Sequence, residues 1–568
     1  RDDKTEGNIN PNRNNISFNY NNTNYKNEEL YVNNGLYVAV HDDRGSRKDI
    51  SLNTFGNGKQ GILSFSYPAV NYGEAANAFS LPGCMVWQIF SGDWYDATLI
   101  YKSFVHNYAK WIPKVGNEGR EDTPLWMREV PFWIMDWMPN DNPDADPIPI
   151  SVRPEKEETD RDSWYKNPLL LREKLGVPCG YHVYNWHWIP FNNDYPHYFP
   201  TKAGFTEGVK IMEQNDIHVM PYINGRIWDT KDRRDQDYQF SSKAKQGAVK
   251  KESGELSIET YASHEPDGTL VKLATMCPSS HIWKKTIENI AKKLFNECGV
   301  SAIYIDQIAA AYSNLCMDKS HNHLPGGGSW WVEAYWNFMN RVNGVKPANC
   351  IYTSESNAEV YVKSFDGYLT WIWINSNQVP AFPAIYSGYI AMLGRNTNGY
   401  KKKDVTYFKY HVSQQILYGQ QIGWINSDIV YHEEKLSYLI KMVRLRWDYR
   451  RFFYKGTLLR PPKIVDDVPH FVTIPGMRFP RVFDVPVVSA GAWRLWDNSR
   501  SVLFMFNIGD EDISFTCEFN TDEYFINDIN DLCIASGSGR ILEANYKDDK
   551  TIQLKCMVSK SDYLAIEW

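Results

Sequence analysis

From about Leu125 the apolar positions fall into short runs of β-branched and aromatic residues, each closed by a polar residue and separated from the next by polar or helically spaced sequence. Runs of this kind are best buried on both faces, as in a parallel sheet whose crossovers are helices. The pattern predicts strands at Pro131–Asp136, Cys179–Asn185, His218–Asn224, Ala302–Asp306, Ile351–Glu355, Gly367–Trp371 and Ile422–Asn426, with a weaker one around Tyr386–Leu393. Before the fourth run, Trp283, Ile287, Ile290, Ala291, Leu294 and Phe295 make one helical stripe that Gly299 would end. Eight strands over residues 125–450 match a (β/α)8 TIM barrel with long loops better than an open dinucleotide-binding sheet, and no glycine fingerprint follows the first strand.

The flanks follow a different period. Residues 1–124 open with an Asn-rich stretch, Gly7–Asn27, and then alternate as strands at Leu30–Val32, Gly35–His41, Gly61–Tyr67 and Met85–Phe90. Asp93–Trp111 returns to helical spacing and would bridge to the barrel. After a long amphipathic helix, Glu433–Arg450, residues 451–568 alternate again, in runs such as Val502–Asn507, Ile513–Phe519 and Tyr563–Trp568. The expected organisation is therefore an N-terminal β-rich domain with a linker helix, a catalytic barrel and a C-terminal antiparallel β-sandwich.

Two strand tips carry the chemistry. Asp306 ends the fourth run and Glu355 the fifth. In a parallel barrel the C-terminal strand ends converge on one face, and cleavage of a glycosidic bond needs two carboxyl groups flanking it. Each acid alone could equally cap the helix after its strand; the pair favours hydrolysis of a poly- or oligosaccharide. In the retaining form one carboxylate attacks the anomeric carbon and the other serves as proton donor and then base, which calls for carboxyls about 5–5.5 Å apart rather than about 6.5–9.5 Å.

Residues after the other strands are expected to line the pocket: Asp136 and Trp137, Trp186 and His187, and Asn224, Arg226 and Trp228, with Gln307 beside the fourth tip. Glu359, one turn after Glu355, is a further substrate contact and a rival acid. His321 and His323 are read as a sugar-binding edge. With Asp318 they have metal-ligand chemistry, but that loop shows no second His cluster, so neither a metal nor another cofactor is assigned. Asp366 precedes the sixth strand and is read as a turn residue; the oxygen-rich Asn140–Asp146 is read as a solvated loop without the spacing of an EF-hand.

Composition narrows the classes further. The chain has 568 residues, 21 of them Trp and 36 Tyr, enough flat aromatic surface both to fill cores and to stack on sugar faces. A net charge of −7 gives no electrostatic reason to expect nucleic acid. Nine scattered Cys without a C-x-x-C pair indicate neither a disulfide framework nor a zinc module. No apolar run has the length of a membrane span. The chain starts at Arg1 rather than Met, so a preceding segment is expected; a secreted, periplasmic or surface location is favoured, and oligomeric state is left open.

Five ordered motifs carry a family resemblance: Gly35–Asp42, Gly92–Ala97, Tyr304–Ala309, His321–Trp330 and Thr353–Ser356. Together they resemble the glycosidase-like proteins grouped as domain of unknown function 6259. More distantly, the order of sheet domain, barrel and sandwich is similar to the α-amylase family and to the endo-α-N-acetylgalactosaminidases. That resemblance implies the same roles for Asp306 as nucleophile and Glu355 as acid/base. The α-amylase pattern has Arg where Tyr304 stands and a His-Asp pair after the seventh strand that this chain lacks, which argues against a starch-like substrate. Two rival functions remain: a non-catalytic carbohydrate-binding protein, which would not need a matched acid pair, and a metal-dependent sugar isomerase or aldolase, which would want a strand-tip Lys or a fuller metal set.

Overall fold

The computed structural model describes residues 34–55, 60–138, 163–231, 240–265, 267–396, 404–474 and 482–568. The Asn-rich stretch, the Leu30–Val32 run and the Asn140–Asp146 loop lie outside them.

The eight predicted runs form one parallel eight-stranded sheet. Its strands are β1 (Phe132–Trp137), β2 (Cys179–Tyr184), β3 (Ile217–Asn224), β4 (Ala302–Asp306), β5 (Ile351–Glu355), β6 (Gly367–Leu369), β7 (Ala391–Leu393) and β8 (Ile422–Ile425). They neighbour one another in chain order, β8 pairs with β1, and a parallel bridge from Leu393 to Gln421 joins β7 to the start of β8. Closure of the sheet on itself makes the barrel expected from the apolar pattern.

Helices cover its outside: α1 (Lys166–Leu175), α2 (Phe205–Glu213), α3 (His281–Asn296), α4 (Trp330–Asn343), α5 (Ala381–Tyr386), α6 (Val405–Leu417) and α7 (Glu433–Asp448). In α3 the buried residues are the six of the predicted stripe, and Gly299 just beyond it has φ +73°. The short seventh strand occupies only the end of its predicted region, because Ala381–Tyr386 at its start is helical.

The barrel lumen is packed rather than open, as parallel-barrel physics requires. Side chains of alternate parity point inward, among them Trp133, His182, Tyr304 and Trp424. A Cβ on Gly180 would come within 2.2 Å of the Trp133 ring, so the indole fills the floor only because that position has no side chain. Burial lowers the pKa of His182 to about 3, so its ring is neutral, and its Nδ1 accepts from Trp424 Nε1 at 3.0 Å.

After α7 the chain builds two large antiparallel sheets and a two-stranded one, His470–Thr473 with Phe483–Pro486. Five strands run in the order Gly456–Leu458, Val488–Leu495, Ser501–Asn507, Asp562–Glu567, Cys533–Gly537, and four in the order Lys463–Ile464, Ile513–Asn520, Thr551–Val558, Arg540–Asp548. Period-2 alternation divides the buried strand Ser501–Asn507 between two cores. Val502, Phe504 and Phe506 pack into the barrel cluster, whereas Leu503 and Met505 meet Phe515, Cys517, Leu554 and Cys556 of the second sheet.

At the other end, Asn34–His41 pairs with Cys84–Ser91 and Asp49–Phe55 with Gln60–Ser66. Helix Trp94–Tyr108 follows, entered through a capping box between Asp93 and Asp96. Among the described residues no helix is long and apolar enough to cross a membrane.

Candidate active site

The register between β4 and β5, Ala302 with Ile351 and Tyr304 with Thr353, carries on to set Asp306 level with Glu355 at the strand tips. Both carboxylates keep some solvent exposure, whereas the four residues before each are buried. The backbone turns sharply at each tip: Gln307 after Asp306 has φ +66° and Ser356 after Glu355 has φ +62°. Non-glycine residues seldom adopt this left-handed conformation, and it clusters where a site must be held in one geometry.

The hydrogen-bond donors are divided unequally. Asp306 accepts from Tyr222 Oη at 2.9 Å, from the Gln307 backbone N–H at 2.8 Å and, at longer range, from Tyr304 Oη at 3.4 Å. Glu355 accepts from Trp371 Nε1 at 2.7 Å. The two acids are near enough for the charge of one to act on the other. Burial first, and the Glu355 charge second, raise the Asp306 carboxyl well above the usual carboxylate range, while the Tyr222 hydroxyl opposes the shift. Asp306 thus has three donors against one on Glu355, a set that favours its charged form against the burial that opposes it.

An aromatic wall surrounds the pair. Trp137 stacks on Tyr184 with centroids 4.5 Å apart, and Tyr184 stacks on Tyr222 at 5.0 Å, which leads directly to Asp306. Trp424 lies 6.3 Å from Trp371, the partner of Glu355. Sequence reasoning missed Tyr184, Tyr222, Tyr304, Trp371 and Trp424. Strand parity could have found two of them, since Tyr222 and Tyr304 stand two residues before the tips Asn224 and Asp306 and so share their face.

Of the expected substrate contacts, Trp137 and Gln307 lie beside the pair. Gln307 is turned aside to Tyr261, whose hydroxyl its Nε2 meets, so it supports the site through its backbone. Asn224 is fully buried at β3, with its Oδ1 taking the N–H groups of Arg226 and Ile227 and its Nδ2 3.4 Å from Tyr222 Oη. It positions Tyr222.

The others are corrected by burial. Trp186 is fully enclosed and donates to the Tyr222 carbonyl at 2.8 Å; Trp228 packs against Trp283 and His197. His187 is buried with its Nδ1 2.8 Å from the Ile189 carbonyl, and burial lowers its pKa to about 3. Arg226 is spent on Glu259, 2.9 Å away, rather than presented to a ligand. Glu359 is buried between the hydroxyls of Tyr101 and Tyr386, at 2.6 and 2.5 Å, and is not the rival acid that the sequence suggests. His321 and His323, read as a sugar-binding edge, converge on Cys277 and Cys316. Asp366 holds the start of β5, accepting from the Tyr352 backbone N–H at 3.0 Å and Thr123 Oγ1 at 2.7 Å.

Asp136 has the parity opposite to Trp137 and turns outward to Tyr181, which packs on Trp164 in the helix layer. Its Oδ1 accepts from the Ser427 N–H at 3.1 Å, and burial raises its pKa from 3.8 to about 7. A carboxyl with a raised folded-state pKa contributes stability that is present below its unfolded pKa and lost as pH rises through the folded one. Asp136→Asn is therefore expected to raise the thermal midpoint by several degrees at pH 8 and to leave it unchanged at pH 4, as read by calorimetry at the two pH values.

The family described as "Domain of unknown function (DUF6259)" matches residues 79–397. A Bacteroides thetaiotaomicron protein named "Putative glycoside hydrolase" is 28% identical over 410 residues, covering 70% of this chain and 54% of that protein. A Monosiga brevicollis protein named "Putative glycoside hydrolase 22789" is 28% identical over 420 residues, covering 69% of this chain and 33% of that protein. The chain thus spans about half the length of the first relative and a third of the second. Among solved structures, the α-N-acetylgalactosaminidase NagBb from Bifidobacterium bifidum superposes with a TM-score of 0.57 at 12% identity, over 84% of this chain and 72% of that one. At that identity the likeness is one of fold.

Proposed function

The chain belongs to the family described as domain of unknown function 6259, and from the site its barrel carries we propose that it is a glycoside hydrolase acting on a poly- or oligosaccharide by a retaining mechanism. The observation that carries the reading is the Asp306–Glu355 pair, level with each other at adjacent strand tips inside an aromatic wall. Residues level on adjacent strands are about 4.8 Å apart across the sheet, which favours the spacing of about 5–5.5 Å used by retaining enzymes over the about 6.5–9.5 Å of inverting ones. The names of the Bacteroides and Monosiga relatives support the same reaction class.

Glu355 donates its proton to the leaving oxygen as Asp306 attacks the anomeric carbon to form a glycosyl ester. Glu355, now ionised, takes a proton from water, which cleaves the ester and returns the pair to its starting state. Tyr222 and the Gln307 N–H hold Asp306 in line and stabilise its charge before attack. Trp371 orients Glu355. Trp137 and Trp424 offer faces for the sugar.

The test is hydrolysis of a panel of aryl α- and β-glycosides, N-acetylgalactosaminides included, together with oligosaccharides. Turnover that disappears in both Asp306→Asn and Glu355→Gln is expected; turnover that persists in both would overturn the assignment. Tyr222→Phe removes one hydrogen bond to a charged carboxylate, worth about 1.5–3 kcal/mol. It is expected to lower kcat about 10- to 100-fold with little change in KM.

A further inference from the structure

Cys277, Cys316, His321 and His323 come from two separate stretches of chain, yet one ligand atom of each lies within 4.8 Å of every other. Cys277 stands between the short strand Leu273–Thr275 and the start of α3; the other three belong to the loop after β4. Cys277 Sγ is 3.6 Å from His323 Nε2, and Cys316 Sγ is 3.3 Å from His321 Nδ1. Bonds of about 2.3 Å to sulfur and about 2.0–2.1 Å to nitrogen, at a tetrahedral angle, put sulfur and nitrogen about 3.5 Å apart.

The outer nitrogens complete the argument. His321 Nε2 lies 2.7 Å from the Gln246 carbonyl, and His323 Nδ1 lies 2.9 Å from the Leu324 carbonyl. A carbonyl can only accept, so each outer nitrogen carries the proton and each inner nitrogen faces the sulfurs with a lone pair. That is the arrangement by which metal-bound imidazoles are held in one tautomer. The ring of His323 is fixed by stacking on Trp330 with centroids 3.6 Å apart. Both cysteines and His321 are buried.

We propose that these four residues form a structural zinc site. Two thiolates and two imidazoles are the soft, tetrahedral donor set that zinc takes, and the two thiolate charges balance the dication, so a neutral unit is buried. Four protein ligands leave no open position, which makes the site structural rather than catalytic. Asp318 is not a ligand: it pairs with Lys250 at 2.7 Å and caps the short turn Lys319–His321. The zinc staples the loop after β4, the strand that carries Asp306, to the entry of α3. The same loop continues to Gly327, whose N–H donates to the Ala69 carbonyl at 2.8 Å, so the staple also holds the seat of the N-terminal region. This inference stands independently of the proposed reaction.

The test is metal analysis of the full chain purified under reducing conditions and reconstituted with zinc alone. About one zinc per chain is expected, with thiolate-to-metal charge-transfer and tetrahedral ligand-field bands when cobalt replaces it. A chelator should lower the thermal midpoint and added zinc should restore it. Cys277→Ser and His323→Ala should each lose zinc at a chelator concentration that leaves the wild type loaded. His323 is the least buried ligand, so its variant is the one expected to stay folded. Substoichiometric zinc in the reconstituted wild type, a Cys277–Cys316 disulfide found by mass spectrometry of that sample, or zinc retained by a folded His323→Ala would each overturn the proposal.

Discussion

Asp306→Asn is expected to reduce kcat/KM by about 10⁴ or more on any glycoside the wild type cleaves, a loss of about 5–6 kcal/mol of transition-state stabilisation. The amide cannot form the glycosyl ester, and it also removes the charge that Tyr222 and the Gln307 N–H are placed to hold. Glu355→Gln should behave differently according to the leaving group. A poor leaving group needs its proton, so the loss there should be about 10²–10⁴-fold, and much smaller for an activated aryl group. The fold is not at risk in the Asp306 variant. Burial and the Glu355 charge raise the Asp306 pKa, so its ionisation costs stability above the unfolded carboxylate range. Asp306→Asn should therefore melt at or above the wild-type temperature at neutral pH and match it in acid. An inactive variant with an unchanged or raised midpoint separates lost chemistry from lost structure.

The second large effect is expected at Arg226. It is buried, its guanidinium binds Glu259 at 2.9 Å through both Nε and a terminal nitrogen, and it lies over the Trp331 ring. Glu259 in turn accepts from Tyr261 Oη at 2.8 Å and Thr275 Oγ1 at 3.0 Å, and the Tyr261 hydroxyl receives Gln307. Arg226→Ala leaves Glu259 charged and largely enclosed, and breaking such a pair costs about 3–5 kcal/mol, with the lower end fitting the partial exposure of Glu259. Denaturant unfolding should show that loss, and the double variant Arg226→Ala/Glu259→Gln should recover part of it. Since the chain of contacts ends on the residue that follows Asp306, activity should fall as well, with the pH profile keeping its shape.

The barrel was legible because its strands are fully buried and therefore written as unbroken apolar runs. Ala302–Asp306 and Ile351–Glu355 end at the predicted residues, and the two acids were visible as the polar stops of those runs. The pocket lining was less legible. Proximity to a strand tip does not say which way a side chain points: Asp136 and Trp137 are neighbours on opposite faces, and Trp186, His187 and Trp228 turn into the protein. Glu359 followed helical spacing from Glu355, but Glu355 ends a strand and Glu359 opens a separate 3-10 turn, so the two do not share a face. The cysteine–histidine cluster was hidden for a different reason. Cys277 is 39 positions before Cys316, and only the return of the chain through α3 and β4 brings them together. No local spacing could reveal it.

The most direct measurement takes whichever sugar the wild type releases, prepares its activated fluoro-sugar fluoride, and maps the resulting covalent adduct by peptide mass spectrometry. The retaining assignment predicts one glycosyl unit per chain on Asp306, accumulating in the wild type and absent from Asp306→Asn. An adduct on another carboxylate, or release of the inverted anomer with no adduct at all, would contradict it.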